Sequence, residues 1–209
     1  MSGRLIETPA DVAAGAAHLA AICPRLAHAH ALCAPLPLRR RADGFAALLG
    51  IIVSQQLSTS AAAAIEARMR AARLVTPAAI LRADDDALRG VGLSRQKIRY
   101  LRALAAADVD FAALRALPDA ALVARLTALP GVGAWTAEIY AMFCLGRADV
   151  FAPGDLALRE AARLLYGLPE RPRAAELRRM AEAWAPWRSV AARLLWAYYR
   201  IASKREGIR

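Results

Sequence analysis

Residues 129–140 read "LPGVGAWTAEIY": a proline, two glycines separated by one residue, then an apolar helical run. The preceding segment, "LPDAALVARLTAL", also has helical periodicity, so the stretch is a tight turn between two helices. Such a turn needs one glycine, and this one has two. Gly131 and Gly133 admit positive φ and place no Cβ in the way of an approaching group. Successive N–H groups in the turn, followed by a helix N-terminus, make an anion cradle. The alternative is that Gly131 caps the first helix and Gly133 permits close helix packing.

Charge narrows the choice of anion. Lys and Arg number 29 against 18 Asp and Glu, a net charge of +11. This favours a polyanion, nucleic acid first and an acidic membrane surface second; on charge alone the alternative is a solvated basic surface with no partner. Much of the basic side is Arg, whose planar fork suits phosphate. Cys23, Cys33 and Cys144 fit neither a disulfide framework nor a zinc site, and read as reduced core thiols. Three cysteines cannot supply an all-cysteine iron–sulfur cluster. Glu7 and Asp11 precede the first apolar stretch, which is the wrong charge for a secretory signal. The longest apolar runs, such as "FAALLGIIV" (45–53), are too short to span a bilayer. The chain reads as soluble and intracellular.

Helical periodicity dominates, with no convincing alternating strand. Thr8 and Pro9 open a first helix, and "CAPLPLRRRADG" (33–44) is a basic, Pro-rich connector. Asp43 is the expected cap of the next helix, and Ser58 opens another. Two short helices precede the amphipathic "SRQKIRYLRALAAA" (94–107), with Ile98, Leu101 and Leu104 on one side. Beyond the turn, helices are expected from Asp155 to Tyr166, near 173–184 and from about 187 to 203. The sum is roughly ten helices in an all-α fold without a solenoid repeat.

The string "LPGVGAWTAEIYAMFCLGRADVFAPGDLALREA" (129–161) resembles the helix-hairpin-helix DNA glycosylase superfamily, and most closely its DNA-3-methyladenine glycosylase II branch. The shared features are the hairpin, then W-T-A, then D-V-F, then a P-x-D-x-x-L element about twenty residues on. "FAALLGIIVSQQLSTSAAAAI" (45–65) looks like the family's DNA-wedge region, "GLSRQKIRYL" (92–101) like its mid-domain helix, and "PWRSVAARLLWAYY" (186–199) like its closing helix. The resemblance covers about residues 43–200 and is weak in the first forty.

The resemblance implies roles residue by residue. Asp155, by itself a good helix cap, stands at the catalytic aspartate, whose carboxylate would stabilise an oxocarbenium-like sugar and orient water. Trp135 stands where strand-cutting relatives carry a lysine nucleophile, and an indole cannot form a Schiff base. Trp135, Trp196 and Tyr140 are the candidates for a base pocket, whose ring faces would attract a cationic alkylated purine. Ile139 stands where some relatives have tyrosine. Gln56, with Gln55 or Leu57 beside it, is the candidate wedge that fills the gap left by a flipped nucleotide. Gly131, Gly133, Ala134 and Thr136 would hold a DNA phosphate. Main-chain carbonyls of Thr127, Leu129 and Val132 would hold a monovalent cation, Na+ or K+, that bridges to it. Arg159 could pair with Asp155, contact phosphate or be solvated; His18, His28 and His30 read as surface residues.

The expected architecture is two-lobed: 43–145 with the hairpin at about 122–144, and 1–42 plus 146–209 carrying Asp155, with a cleft between the lobes. The expected activity is monofunctional excision of alkylated purines, chiefly 3-methyladenine with 7-methylguanine beside it. No cofactor is required and no iron–sulfur cluster is expected. The expected partner is double-stranded DNA, with no membrane; the chain would be monomeric and cytoplasmic, on the nucleoid in a bacterium. The alternatives are a non-catalytic backbone clamp, or a glycosylase for hypoxanthine or uracil.

Overall fold

The computed structural model describes residues 3–205, and among them the fold is all-α with thirteen helices. The only extended pairing among these residues is an isolated bridge between Leu5 and Arg147. It is secured by Ile6 N–H donating to the Gly146 carbonyl at 2.7 Å and Ala148 N–H to that of Arg4 at 3.0 Å. No helix among the described residues is long and apolar enough to cross a membrane. The chain divides into two compact units, Arg41–Tyr140 and Gly3–Arg40 together with Ala141 onward.

The first unit holds α3 (Phe45–Ser54), α4 (Thr59–Ala71), α5 (Pro77–Arg82), α6 (Asp85–Gly90), α7 (Arg95–Ala106), α8 (Phe111–Ala116), α9 (Asp119–Thr127) and most of α10 (Ala134–Phe143). Its centre is α3, buried continuously from Leu48 to Val53, which packs on α4 and α7. The apolar stripe of α7, Ile98, Leu101 and Leu104, is buried as its 3.6-residue period requires. Ser58, Thr76, Asp84, Ser94 and Asp110 each cap the helix they precede, accepting a first-turn N–H.

Asp43 does not cap α3. Its carboxylate is drawn into an ion pair with Arg115, and Gly44 takes the cap position at φ +102°. The Gly44 N–H donates to the Tyr140 hydroxyl at 2.9 Å instead.

The second unit holds α1 (Pro9–Ile22), α2 (Pro24–Cys33), α11 (Leu156–Tyr166), α12 (Ala174–Glu182) and α13 (Arg188–Arg205). Thr8 and Asp11 form a reciprocal capping box at the start of α1. The last helix, α13, packs against α11, α2 and α1. Gly15 of α1 brings that helix onto Trp187 and Val190: a Cβ there would lie 2.7 Å from both side chains. The connector between α2 and α3 is anchored to this unit, with Arg40 Nη1 donating to the Cys144 carbonyl at 2.9 Å. Cys144 is buried, whereas Cys23 and Cys33 are half-buried, and none of the three is in a disulfide. His18 and His28 are exposed and His30 is half-buried.

Within α11, Glu160 is buried and receives Arg163 Nε and Arg171 Nε, each at 2.7 Å. Burial pushes the Glu160 carboxyl up, but the hydrogen bonds from Arg171 and Arg163 outweigh it and hold the pKa below the usual value. A depressed folded pKa contributes stability that is present above the unfolded pKa and is lost as pH falls through the folded value. Glu160→Gln is therefore expected to destabilise the protein at neutral pH by about 1–2 kcal/mol, a figure kept low because Arg171 is half exposed. Denaturant melts of both proteins should converge as pH drops below about 4.

Candidate active site

In the second unit Asp155, the candidate catalytic carboxylate, is the N-cap of α11. Its Oδ1 accepts the N–H groups of Ala157 and Leu158, each at 3.0 Å. The same oxygen accepts Trp196 Nε1–H at 3.1 Å from α13. A carboxylate held by two backbone donors and one indole donor has a fixed orientation rather than a choice of rotamers. Capping and a chemical role are compatible here, because the cap sets where the carboxylate points.

Trp196 also forms an aromatic wall. Its ring lies 5.6 Å from that of Phe143, tilted by 36°. The two line a cavity of about 180 Å³ with Arg39, Tyr199 and Arg200. Behind Phe143 is Arg193, only 2 % exposed, with its guanidinium carbon 4.8 Å from the ring centroid. Arg193 donates to the carbonyls of Ser189 and Leu38, fastening the basic connector to α13. Burial, with Arg39 and Arg40 nearby, lowers its pKa to about 10, so it stays charged at neutral pH. Arg159 turns away from Asp155: its Nε donates to the Pro172 carbonyl at 2.7 Å.

In the first unit the hairpin joins α9 to α10. The C-cap of α9 is Ala128, so Gly131 lies beyond it and is not the helix's capping glycine. Gly131 is required for two other reasons. It adopts φ +83°, and a Cβ there would lie 2.3 Å from Cγ of Tyr100 on α7. Gly133 is different: it is exposed and a Cβ there would meet nothing within 4 Å. Close helix packing therefore does not explain Gly133, whereas an open approach to the turn does.

The first bond inside α10 runs from Ala137 N–H to the Gly133 carbonyl at 3.1 Å. First-turn N–H groups, Ala134 and Thr136 among them, consequently have no acceptor within the helix. Among the turn carbonyls, that of Leu129 accepts Val132 N–H at 3.0 Å; Thr127 ends α9 and donates its hydroxyl to the Ala124 carbonyl. Thr136 is buried, and Trp135 is half-buried in the first turn of α10. Tyr140 is fully buried in this unit, its ring 6.2 Å from Phe111.

The α3–α4 connection lies beside the hairpin. Gln55 Nε2 donates to the Gly131 carbonyl at 2.9 Å and to Thr136 Oγ1 at 2.8 Å. Gln56 follows at φ +57°, one of four non-glycine residues at positive φ among those described, and it is exposed. Leu57 is 39 % exposed. Sequence reasoning singles out Asp155, Trp196 and the hairpin but misses Phe143, Arg39, Arg193 and Tyr100, whose partners are far away in the chain. No group of three or more His, Cys, Asp and Glu able to hold a metal ion occurs among the described residues.

Residues 49–186, more than half of the chain, match the family described as HhH-GPD superfamily base excision DNA repair protein. DNA-3-methyladenine glycosylase 1 of Schizosaccharomyces pombe is 32% identical over 171 residues, spanning 78% of this chain and 75% of that protein. DNA-3-methyladenine glycosylase 2 of Escherichia coli is 30% identical over 165 residues, spanning 74% and 56%. The solved structure of the S. pombe 3-methyladenine DNA glycosylase in complex with abasic DNA superposes with a TM-score of 0.79, at 30% identity, over 87% of this chain and 94% of that one. The DNA-3-methyladenine glycosidase of Bacillus halodurans gives 0.75, at 33% identity, over 95% and 93%.

The two hairpin glycines should respond oppositely to alanine. Gly131→Ala combines a left-handed φ with overlap on the Tyr100 ring, and is expected to cost about 2–4 kcal/mol in a denaturant melt. Gly133→Ala has open space, and should stay within about 0.5 kcal/mol of the parent.

Proposed function

The chain belongs to the HhH-GPD superfamily of base excision DNA repair proteins, and we propose that it is a monofunctional DNA glycosylase that hydrolyses alkylated purines, chiefly 3-methyladenine and also 7-methylguanine, out of double-stranded DNA. The observation that carries this reading is the Asp155–Trp196 pair, a carboxylate whose orientation is fixed in part by an indole that itself lines a cavity. A backbone clamp would share the hairpin and the charge but has no use for that pair. A neutral lesion such as hypoxanthine or uracil would gain less from the ring faces than a cationic one.

The assigned roles follow from the chemistry. Gly131, Gly133, Ala134 and Thr136 grip a phosphate through their backbone N–H groups, while Thr136 Oγ1 accepts from Gln55. Na+ or K+ on the carbonyls of Thr127, Leu129 and Val132 would reinforce that grip. Gln56, with Leu57, fills the gap as the damaged nucleotide leaves the stack, and Gln55 anchors them. Trp196 faces the base, and the half-buried Trp135 is the further candidate; Tyr140 is fully buried in its own unit and has no surface to offer a base.

Alkylation at N3 or N7 has already made the purine cationic. When the C1′–N bond breaks, its electron pair neutralises the base, which needs no proton to leave. The positive charge passes to the sugar, where the Asp155 carboxylate stabilises it. Water then adds at C1′ and releases its proton, leaving an abasic site. Trp135 offers no amine for a Schiff base. Lys97 is already committed, its Nζ donating to the carbonyls of Val53 and Gln55. The protein works as a monomer in the cytoplasm, on DNA.

Incubation with methylated duplex DNA should release free methylpurine and leave alkali-labile sites without strand breaks. Asp155→Asn should slow release on the order of 10²–10³-fold. Failure of the parent protein to release any alkylated base would overturn the activity. Breaks formed without alkali or heat would contradict hydrolysis, and undiminished release by the variant would remove Asp155 from the mechanism.

A further inference from the structure

Lys97 is one of only two lysines in the chain, the other being Lys204, and the remaining 27 basic residues are arginine. It does not point to solvent. From the first turn of α7 its half-buried Nζ donates to the Val53 carbonyl at 2.6 Å and the Gln55 carbonyl at 2.9 Å. These carbonyls close the C-terminal end of α3, where a cation meets the negative end of the helix dipole. A compact ammonium with three donors fits two converging carbonyls better than a planar fork does.

Gln55, held through its backbone by Lys97, is held through its side chain by the hairpin. Its Nε2 bonds the Gly131 carbonyl and Thr136 Oγ1. One turn beyond Lys97 on α7, Tyr100 packs against the hairpin at Gly131. The next residue after Gln55 is Gln56, in its left-handed conformation, with Leu57 N–H closing back on the Ser54 carbonyl at 3.2 Å. A single helix therefore supports both the turn that meets phosphate and the loop that enters the duplex.

We infer that Lys97 is a positioning residue: with Gln55 it forms a brace that fixes the Gln56–Leu57 wedge relative to the phosphate-gripping hairpin. The inference rests on the proposed glycosylase reading for what the wedge does, and on geometry alone for the brace. Its consequence is selective. Phosphate contacts give affinity for any duplex, whereas the wedge gives extra affinity only where a base is missing from the stack. Loosening the brace should erase the second and spare the first.

The test compares binding to an intact duplex with binding to the same duplex carrying a tetrahydrofuran abasic site, for the parent protein and Lys97→Met, which keeps the apolar stem. The parent should prefer the abasic duplex. The variant should lose on the order of tenfold of that preference, the size expected for a charge-assisted bond, and hold the intact duplex within about twofold. Gln55→Leu, which leaves the Lys97 bonds in place, should lose a similar share and serves if Lys97→Met does not fold. An equal fall for both duplexes would make Lys97 a general support and overturn the inference. So would an unchanged preference in both variants, or a parent that shows none. Because neither arm needs base release, an inactive parent that still prefers the abasic duplex would refute the enzyme reading and leave the brace standing.

Discussion

Three N–H groups converge on one carboxylate oxygen, Oδ1 of Asp155, and much of the second unit serves that convergence. Two of the donors exist only because α11 starts at Leu156, and the third only because α13 lies across it. The position of α13 in turn depends on Gly15, which lets α1 sit against Trp187 and Val190. It depends also on Arg193, which ties the connector's Leu38 carbonyl to the helix. In the proposed mechanism a carboxylate placed this way would need no reorganisation when charge develops on the sugar, and preorganisation of that kind is where electrostatic catalysis gets its strength.

The first unit solves a different problem, that of presenting loops without letting them wander. The hairpin is exposed at Pro130 and Gly133 and the α3–α4 connection at Gln56 and Leu57, which leaves both open to an approaching polyanion. Their exposure is offset by attachments below: Lys97 to Val53 and Gln55, Gln55 to Gly131 and Thr136, Tyr100 to Gly131. The glycines differ in the same sense. One is required by the scaffold beneath it, and the other is left open to whatever approaches.

What the sequence reveals follows from how local each determinant is. Thr8, Ser58 and Asp155 are legible as caps because a cap acts within three residues. The helix α2 goes unread because Cys23 makes no side-chain cap bond and the stretch after it has no clear stop before Pro35. Asp43 misleads because Arg115, 72 residues away, claims its carboxylate. Asp155 and Trp196 are each suggested by resemblance, but the bond between them spans 41 residues and no motif encodes it. The Lys97 bond to Gln55 spans 42, and nothing in the lysine's own helix points to it.

The central claim is that the charge on Asp155 favours a developing cation at C1′. It is tested most directly by the ratio of affinities for two duplexes, one carrying a protonated cyclic amine in place of the deoxyribose, the other its neutral tetrahydrofuran analogue. The parent protein should bind the cationic analogue more tightly, by on the order of 10²-fold, and Asp155→Asn should bind the two alike. An identical preference in both proteins would contradict the account.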